Sequence, residues 1–232
     1  MNRISVIIPM LNEAENIGRL LQYLIDNAHY KNKLEIIVVD GGSTDNSVEI
    51  VEKFNQKNFK LINSAKGRAK QMNVGAKASK GTILYFLHAD SFPPKHFDDF
   101  ILDEIQNGNK AGCFRLKFDS NHWWLHLAGW FTQFNFKACR GGDQSLFISR
   151  ELFDKIGGFD ESYIIYEDQI FIRQLYKRKQ FIVINKPIVT SARLYKKHGV
   201  FKLQYHFWMI YLKKWLDASA SELHEYYKEK IG

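Results

Sequence analysis

Between Ile4 and Leu87 short β-branched runs alternate with helical patterns, and few folds accommodate that rhythm. Ile4-Ser5-Val6-Ile7-Ile8 reads as a buried strand. The stretch 14–27 reads as an amphipathic helix with Ile17, Leu20, Leu21, Leu24 and Ile25 on one face. Leu34 to Val39 is a second strand, and Asn46 to Phe54 a second helix after the capping candidates Ser43, Thr44 and Asp45. Lys60-Leu61-Ile62 is a weak third strand, Arg68 to Ala78 a helix, and Thr82 to Leu87 a fourth strand. Strands separated by helices must pair in parallel, because the chain returns across the sheet between them. The expected class is therefore α/β, a Rossmann-like doubly wound, mostly parallel sheet flanked by helices.

Past Pro94 the rhythm loosens. Helices are expected over 96–106, 121–136 and 167–178, and strands over 112–118, 143–148 and 181–184. The segment 199–231 reads as two helices broken near Asp217-Ala218-Ser219. No repeat, low-complexity stretch or flexible linker interrupts the chain, so its 232 residues fit one unit with a helical tail. Two cysteines without a CxxC pair argue against a zinc site or a disulfide framework and for a reducing compartment. There is no leader-like apolar run and no stretch of about 18 apolar residues, so a cytoplasmic chain without a spanning helix is expected.

In open parallel sheets ligands bind beyond the carboxyl ends of the strands. Three such ends here are polar: Pro9-Met10-Leu11-Asn12-Glu13, Asp40-Gly41-Gly42-Ser43-Thr44-Asp45, and His88-Ala89-Asp90. Asp40 can accept from a base N–H, Asn12 or Glu13 can face a ribose, and Asp90 offers hard oxygen to Mg2+ or Mn2+. Each alone is commonly a turn or helix cap. Their occurrence at three ends of one sheet is what carries weight. The dinucleotide G-x-G-x-x-G, the phosphate-cradling loop ending in Gly-Lys, H-E-x-x-H and G-x-S-x-G are all absent.

With these motifs the chain resembles family-2 glycosyltransferases of the GT-A type. The resemblance rests on Ser5 to Pro9 with Asn12-Glu13, on Ile37 to Asp45, and on Gly67-Arg68 with Gln71-Met72-Asn73 and Gly75. It continues through Phe86 to Asp90 in place of a D-x-D motif, and through Gly157-Gly158-Phe159 followed by Glu167-Asp168 and Arg173. Gly67 to Asn73, His88-Ala89-Asp90, Gly142-Asp143-Gln144 and Thr190 to Arg193 are further similar to a bacterial subgroup. That subgroup is associated with radical-SAM and selenodomain proteins or with arsenosugar biosynthesis. His88 replaces the first acid of D-x-D; imidazole can ligate Mn2+ or hydrogen-bond a ribose or phosphate.

The resemblance implies sugar transfer from a nucleoside diphosphate, UDP by default, to an acceptor hydroxyl by inverting single displacement with a divalent metal. It implies a catalytic domain over 1–198, its nucleotide part near 1–94 and its acceptor part near 95–198, with a helical extension over 199–232. Asp168 is the implied base beside Glu167. Pro9, Asn12, Glu13, Asp40, Ser43, Arg68, Gln71 and Ala89 are implied for the nucleotide, and Asp90 with His88 for the metal. Asp143 and Gln144 would contact donor sugar or acceptor, and Arg193 and His198 the diphosphate. The plainer alternatives are helix-dipole complements for Glu167 and Asp168 and solvated surface groups for the basic residues.

Two aromatic segments, 122–131 and 201–216, admit core packing, a homodimer interface or contact with a membrane. With a net charge of +8, an anionic leaflet and a lipid-linked acceptor enter as partners beside a small-molecule acceptor. The scattered charge argues against nucleic acid. Two rival functions are a nucleotidyltransferase, which would need a Gly-rich basic loop where Pro9 to Asn16 stands, and a noncatalytic sugar-nucleotide or membrane-binding module, for which Asp90 and Glu167-Asp168 would be superfluous.

Overall fold

A computed structural model describes residues 2–54 and 58–232. Its eight strands are β1 (Ile4–Met10), β2 (Leu34–Asp40), β3 (Phe59–Asn63), β4 (Ile83–Phe86), β5 (Ser91–Phe92), β6 (Ala111–Asp119), β7 (Leu146–Ser149) and β8 (Ile182–Ser191). Its helices are α1 (Ile17–Asn27), α2 (Ser47–Glu52), α3 (Arg68–Ala78), α4 (Phe97–Gln106), α5 (Trp123–Phe131), α6 (Arg150–Ile156), α7 (Glu167–Lys177), α8 (Arg193–His198), α9 (Val200–Trp215) and α10 (Ala220–Lys230).

The strands form one sheet in the order β3-β2-β1-β4-β7-β6-β8-β5. β1, β2, β3 and β4 pair in parallel, as the alternating rhythm requires. β7 then runs antiparallel to both β4 and β6, β6 and β8 are parallel, and β5 is antiparallel to β8. The sheet is covered on both faces. Ile4, Val6, Ile8 and Met10 of β1 pack with α1, α2 and α4. Ile7, one residue out of phase, packs with α3, α6 and α7. Every residue of β2 is buried, the signature of a strand sandwiched between helical layers. Each fully buried Ile or Leu contributes roughly 1.5–3 kcal/mol by leaving water, so the double cover dominates the stability of this half. A third cluster joins Leu203, Ile210, Leu223 and Ile231 to Tyr163, Ile165 and Tyr166, which fixes the helical tail against the segment preceding α7.

Several boundaries differ from the sequence expectation for local reasons. α1 starts at Ile17 because the Glu13 carbonyl first accepts from Asn16 and Ile17 in a turn. The helix expected over 121–136 stops at Phe131, where the Thr132 hydroxyl donates back to the Gly129 carbonyl at 2.6 Å and accepts the Leu116 N–H at 2.8 Å. β7 starts at Leu146, not 143, because Gly142–Gln144 form a 3-10 turn. The expected strand 181–184 continues to Ser191 past Pro187, since a register shift opposite Phe114/Arg115 accommodates the proline. β5, α6 and α8 were not legible in the sequence at all. The break between α9 and α10 falls where expected: Asp217 is left-handed at φ 63, and Ser219 and Glu222 form a capping box. Among the described residues no helix is long and apolar enough to cross a membrane.

Candidate active site

Parallel pairing sets Met10 beside Asp40, and Ile7 beside Phe86, so β1, β2 and β4 release their polar ends along one edge. The loops there hold one another. The Asp40 carboxylate is buried and accepts the N–H groups of Gly42 (2.9 Å) and Ser43 (3.1 Å) and the Ser43 hydroxyl. The Ser43 hydroxyl in turn accepts the Asn12 N–H at 2.9 Å, while the Asn12 side-chain carbonyl accepts the Thr44 N–H at 2.8 Å. Asn12 stands in the left-handed region at φ 54, a conformation asparagine tolerates well. Pro9 is half-buried and Ala89 buried on this edge. Gln71 lies beneath it rather than at its surface. Its buried amide donates to the Met10 and Val39 carbonyls, both at 2.8 Å, and so ties β1 to β2 from α3.

The β4 end carries the charge. His88 Nδ1 pairs with Asp143 at 3.2 Å. Burial and the Arg68 charge oppose the protonated imidazole, but the hydrogen bond and charge of Asp143 outweigh them and raise the His88 pKa above its ordinary value. Asp90 is raised too, first by burial and then by the nearby Asp143 and Glu13 charges, with His88 and Arg193 opposing. The Arg193 guanidinium donates to both Glu13 oxygens, one at 2.9 Å, and stands 3.6 Å from Asp90. Arg193 therefore bridges the β1 and β4 ends from the far side of the sequence.

Glu167 and Asp168 open α7, where the helix N-terminus favours negative charge. Arg68, at the start of α3, sits 3.2 Å from Glu167 and 3.7 Å from Asp168. Glu167 is buried, and one of its carboxylate oxygens has no hydrogen-bond partner. Burial pushes its carboxyl up to about 7; Arg68 opposes this and the Asp168 charge adds to it. Gln144 is buried, and its side-chain Oε1 accepts the Gly141 N–H at 3.2 Å, closing the turn that presents Asp143. His198 ends α8; among the described residues no hydrogen bond or ion pair joins it to this group, and its Nε2 is buried without a partner.

Three supporting residues were not singled out for these duties by the sequence. Gly142 backs directly onto Asp168: a Cβ there would collide with the carboxylate, meeting its Cγ at 2.7 Å, and would approach His88 Cε1 at 3.2 Å. Asn73 clamps Phe159, accepting its N–H and donating to its carbonyl, both at 2.9 Å. Arg140 is buried and donates to the carbonyls of Thr132 (2.6 Å), Phe134 (2.6 Å) and Phe136 (3.3 Å), which holds the loop leading to Gly142. The sequence hint for the first was its place in Gly142-Asp143-Gln144 after Gly141. A cleft of about 900 Å3 opens beside these groups, lined by Arg68, Gly142, Asp143 and Asp168 together with Tyr195, Trp208 and Tyr211.

Among the described residues no three His, Cys, Asp or Glu side chains converge as a self-sufficient cage. Mg2+ and Mn2+, however, are commonly held by one or two protein groups plus substrate phosphates. Asp90, whose carboxyl is raised by burial among other carboxylates, is the group a cation would relieve.

The chain spans less than half the length of the curated relatives named here. The probable glycosyltransferase YdaM of Bacillus subtilis is 26% identical over 195 residues, covering 74% of this chain and 46% of that protein. The poly(ribitol-phosphate) beta-N-acetylglucosaminyltransferase TarS of Staphylococcus aureus is 31% identical over 128 residues, covering 48% of this chain and 22% of that one. The crystal structure of TarS 1–349 with UDP superposes with a TM-score of 0.67 at 22% identity, over 82% of this chain and 60% of that one. The mannosyltransferase PcManGT of Pyrobaculum calidifontis, solved with GDP-Man and Mn2+, gives 0.66 at 22% identity, over 90% and 60%. These structural likenesses establish a GT-A fold. The profile of the family described as "Glycosyl transferase family 2" matches residues 5–172, a span that holds most of the residues described above, and the chain belongs to that family.

Proposed function

We propose that this chain transfers a sugar from a nucleoside diphosphate to an acceptor hydroxyl, with inversion and without a covalent enzyme intermediate. The observation that carries this reading is the meeting of Asp168, Arg68 and Asp143 around Gly142 in one cleft at the carboxyl edge of the sheet, with His88 paired to Asp143 behind it. Asp168 takes the proton of the acceptor hydroxyl as its oxygen bonds to the anomeric carbon. The bond from that carbon to the diphosphate breaks on the opposite side, and the electron pair leaves with the diphosphate. Arg68 and Arg193, already seated on carboxylates, supply positive charge for that leaving group. His88, its ring fixed by Asp143, faces the same charge. A divalent metal held by Asp90 would act as a Lewis acid on the diphosphate. Asn12, Glu13, Asp40 and Ser43 shape the pocket for base and ribose, and Gln71 serves by holding the two strand ends together.

UDP is the first choice of carrier. TarS has been solved with UDP and UDP-GlcNAc, and PcManGT with GDP-Man, so a guanosine carrier is the second. The division near residues 94 and 198, the place in the cytoplasm and the role of His198 at the diphosphate belong to the same reading. So does membership of the bacterial subgroup with His at the first D-x-D position, which rests on His88, Gly142-Asp143-Gln144 and Thr190 to Arg193. The acceptor is a hydroxyl compound, lipid-linked or small.

The test is thermal unfolding with UDP, GDP, CDP and dTDP, each with and without Mn2+. A ligand at 100 times its dissociation constant adds about 2.7 kcal/mol, which for a chain of this size raises the midpoint by roughly 5–10 °C. One nucleotide should shift the midpoint with metal only, and Asp90→Ala should abolish the shift. No shift with any nucleotide would refute the donor site.

A further inference from the structure

The large apolar side chains left exposed are concentrated in two places. Among the described residues all but Ile164 come from α5 with its following loop or from 194–216. On α9, Phe201, Tyr205, Trp208, Leu212 and Trp215 recur at intervals of three and four, so they form one outward stripe, while Leu203 and Ile210 point inward. On α5, Trp123, Leu127, Trp130 and Phe131 do the same. The two stripes meet: the Phe201 ring lies 6.3 Å from Trp123 and 6.1 Å from Trp124, and Trp124 lies 6.4 Å from Trp208. Trp123 is 61% exposed and Trp215 76%. A patch this rich in exposed tryptophan is rare on a monomer without a partner.

Charge selects the partner. The segment 120–142 contains no Asp or Glu and presents Lys137, its other basic residue, Arg140, being buried on loop carbonyls. The segment 192–216 contains Lys196, Lys197, Lys202, Lys213 and Lys214 besides Arg193, which is held by Glu13 and Asp90, and again has no acid of its own. A symmetric homodimer through this face would set like charges against each other, which costs rather than stabilises. Tryptophan and tyrosine interleaved with lysine, on helices too short and polar to cross, suit the headgroup layer of an anionic bilayer. The cleft beside Asp168 shares Trp208 with this face.

We infer that the α5–α9 face docks the chain on an anionic membrane surface, so that the cleft leading to Asp168 opens at headgroup level. The docking surface stands on its own side chains; only the use of that cleft for an acceptor rests on the glycosyl-transfer reading above.

The full chain is sedimented with vesicles of phosphatidylcholine alone and with vesicles containing about one third phosphatidylglycerol. Wild type should bind the anionic vesicles and release them as salt rises. Lys197→Glu/Lys202→Glu should weaken binding by at least about tenfold. Trp123→Ser/Trp215→Ser, which alters neither the cleft nor the core, should weaken it by a similar factor. In each variant the nucleotide-dependent rise in unfolding midpoint reports that fold and donor site are intact. The docking inference is overturned if wild type ignores both vesicles, or if the tryptophan variant binds as wild type does, which would mean diffuse electrostatic adsorption. It is equally overturned if size-exclusion chromatography gives a dimer that the tryptophan variant splits. Loss of the nucleotide response in wild type would refute the donor reading and leave the docking result untouched.

Discussion

Adding one methyl group at Gly142 should disable the chemistry while leaving the fold alone. Gly142 has no left-handed φ, so alanine can adopt its backbone. The new Cβ would stand 2.7 Å from Asp168 Cγ, whereas nonbonded carbons settle at about 3.5–4.0 Å. The Asp168 carboxyl must therefore retreat by about 1 Å, and a misplacement of that size costs on the order of 100-fold in rate, or about 2.7 kcal/mol of barrier. Gly141→Ala is the matched control, because a Cβ there meets nothing within 4 Å. The assay is release of nucleoside diphosphate from the donor sugar identified by the unfolding screen, run alongside nucleotide affinity and thermal midpoint. Gly142→Ala should lose about two orders of magnitude in kcat with affinity and midpoint nearly unchanged, and Gly141→Ala should lose nothing. Equal activities for the two variants would refute the placement of Asp168 at the reacting centre.

Other expected outcomes concern stability and titration. Glu167 has a folded pKa raised from 4.5 to about 7, so the folded state holds its proton where the unfolded chain has lost it. Stability from this group is complete below about 4.5 and is lost as pH rises through 7, by about 3 kcal/mol in all. Glu167→Gln should flatten that slope in denaturant titrations at pH 5 and pH 8.5, and an unchanged slope would contradict the assignment. Asn73→Ala removes both bonds to Phe159 and should cost about 1–3 kcal/mol, lowering the midpoint by roughly 3–10 °C. A midpoint unmoved by that change would mean the clamp is not made in solution.

The parallel half was readable because its signals are local. Runs such as Ile36 to Val39 are apolar without alternation, as strands buried on both faces must be, and their polar ends follow directly. The antiparallel half was less so. β5 has two residues, α6 has seven and starts straight after a strand, and β8 passes through Asn185-Lys186-Pro187, which reads as a stop. Its continuity depends on a bulge in which Asn185 and Lys186 stand unpaired between the partners of Phe114 and Arg115 on β6, a pairing no local pattern announces. The candidate site divides in the same way. Asp40, His88, Asp90 and Asp168 announce themselves by position in a motif. The pairings His88–Asp143 and Glu13–Arg193 and the seat of Gly142 on Asp168 are contacts between segments far apart in sequence, and no local pattern encodes them.

The Arg193 bridge has a bearing on biosynthesis. Glu13 and Arg193 are 180 positions apart, so the first carboxylate of the rim emerges long before its partner is translated. From Asp90 to Arg193 a ribosome moving at about 5–20 residues per second needs roughly 5–20 s. During that interval the strands of the parallel half have their own sequence in hand, but their charged edge lacks the guanidinium that bridges it. A nascent or truncated chain ending before residue 193 therefore has Glu13 and Asp90 on adjacent strand ends with His88 beside Asp90 but no guanidinium to bridge the two carboxylates. The rim is in this sense a property of the whole polypeptide, completed only when the guanidinium arrives.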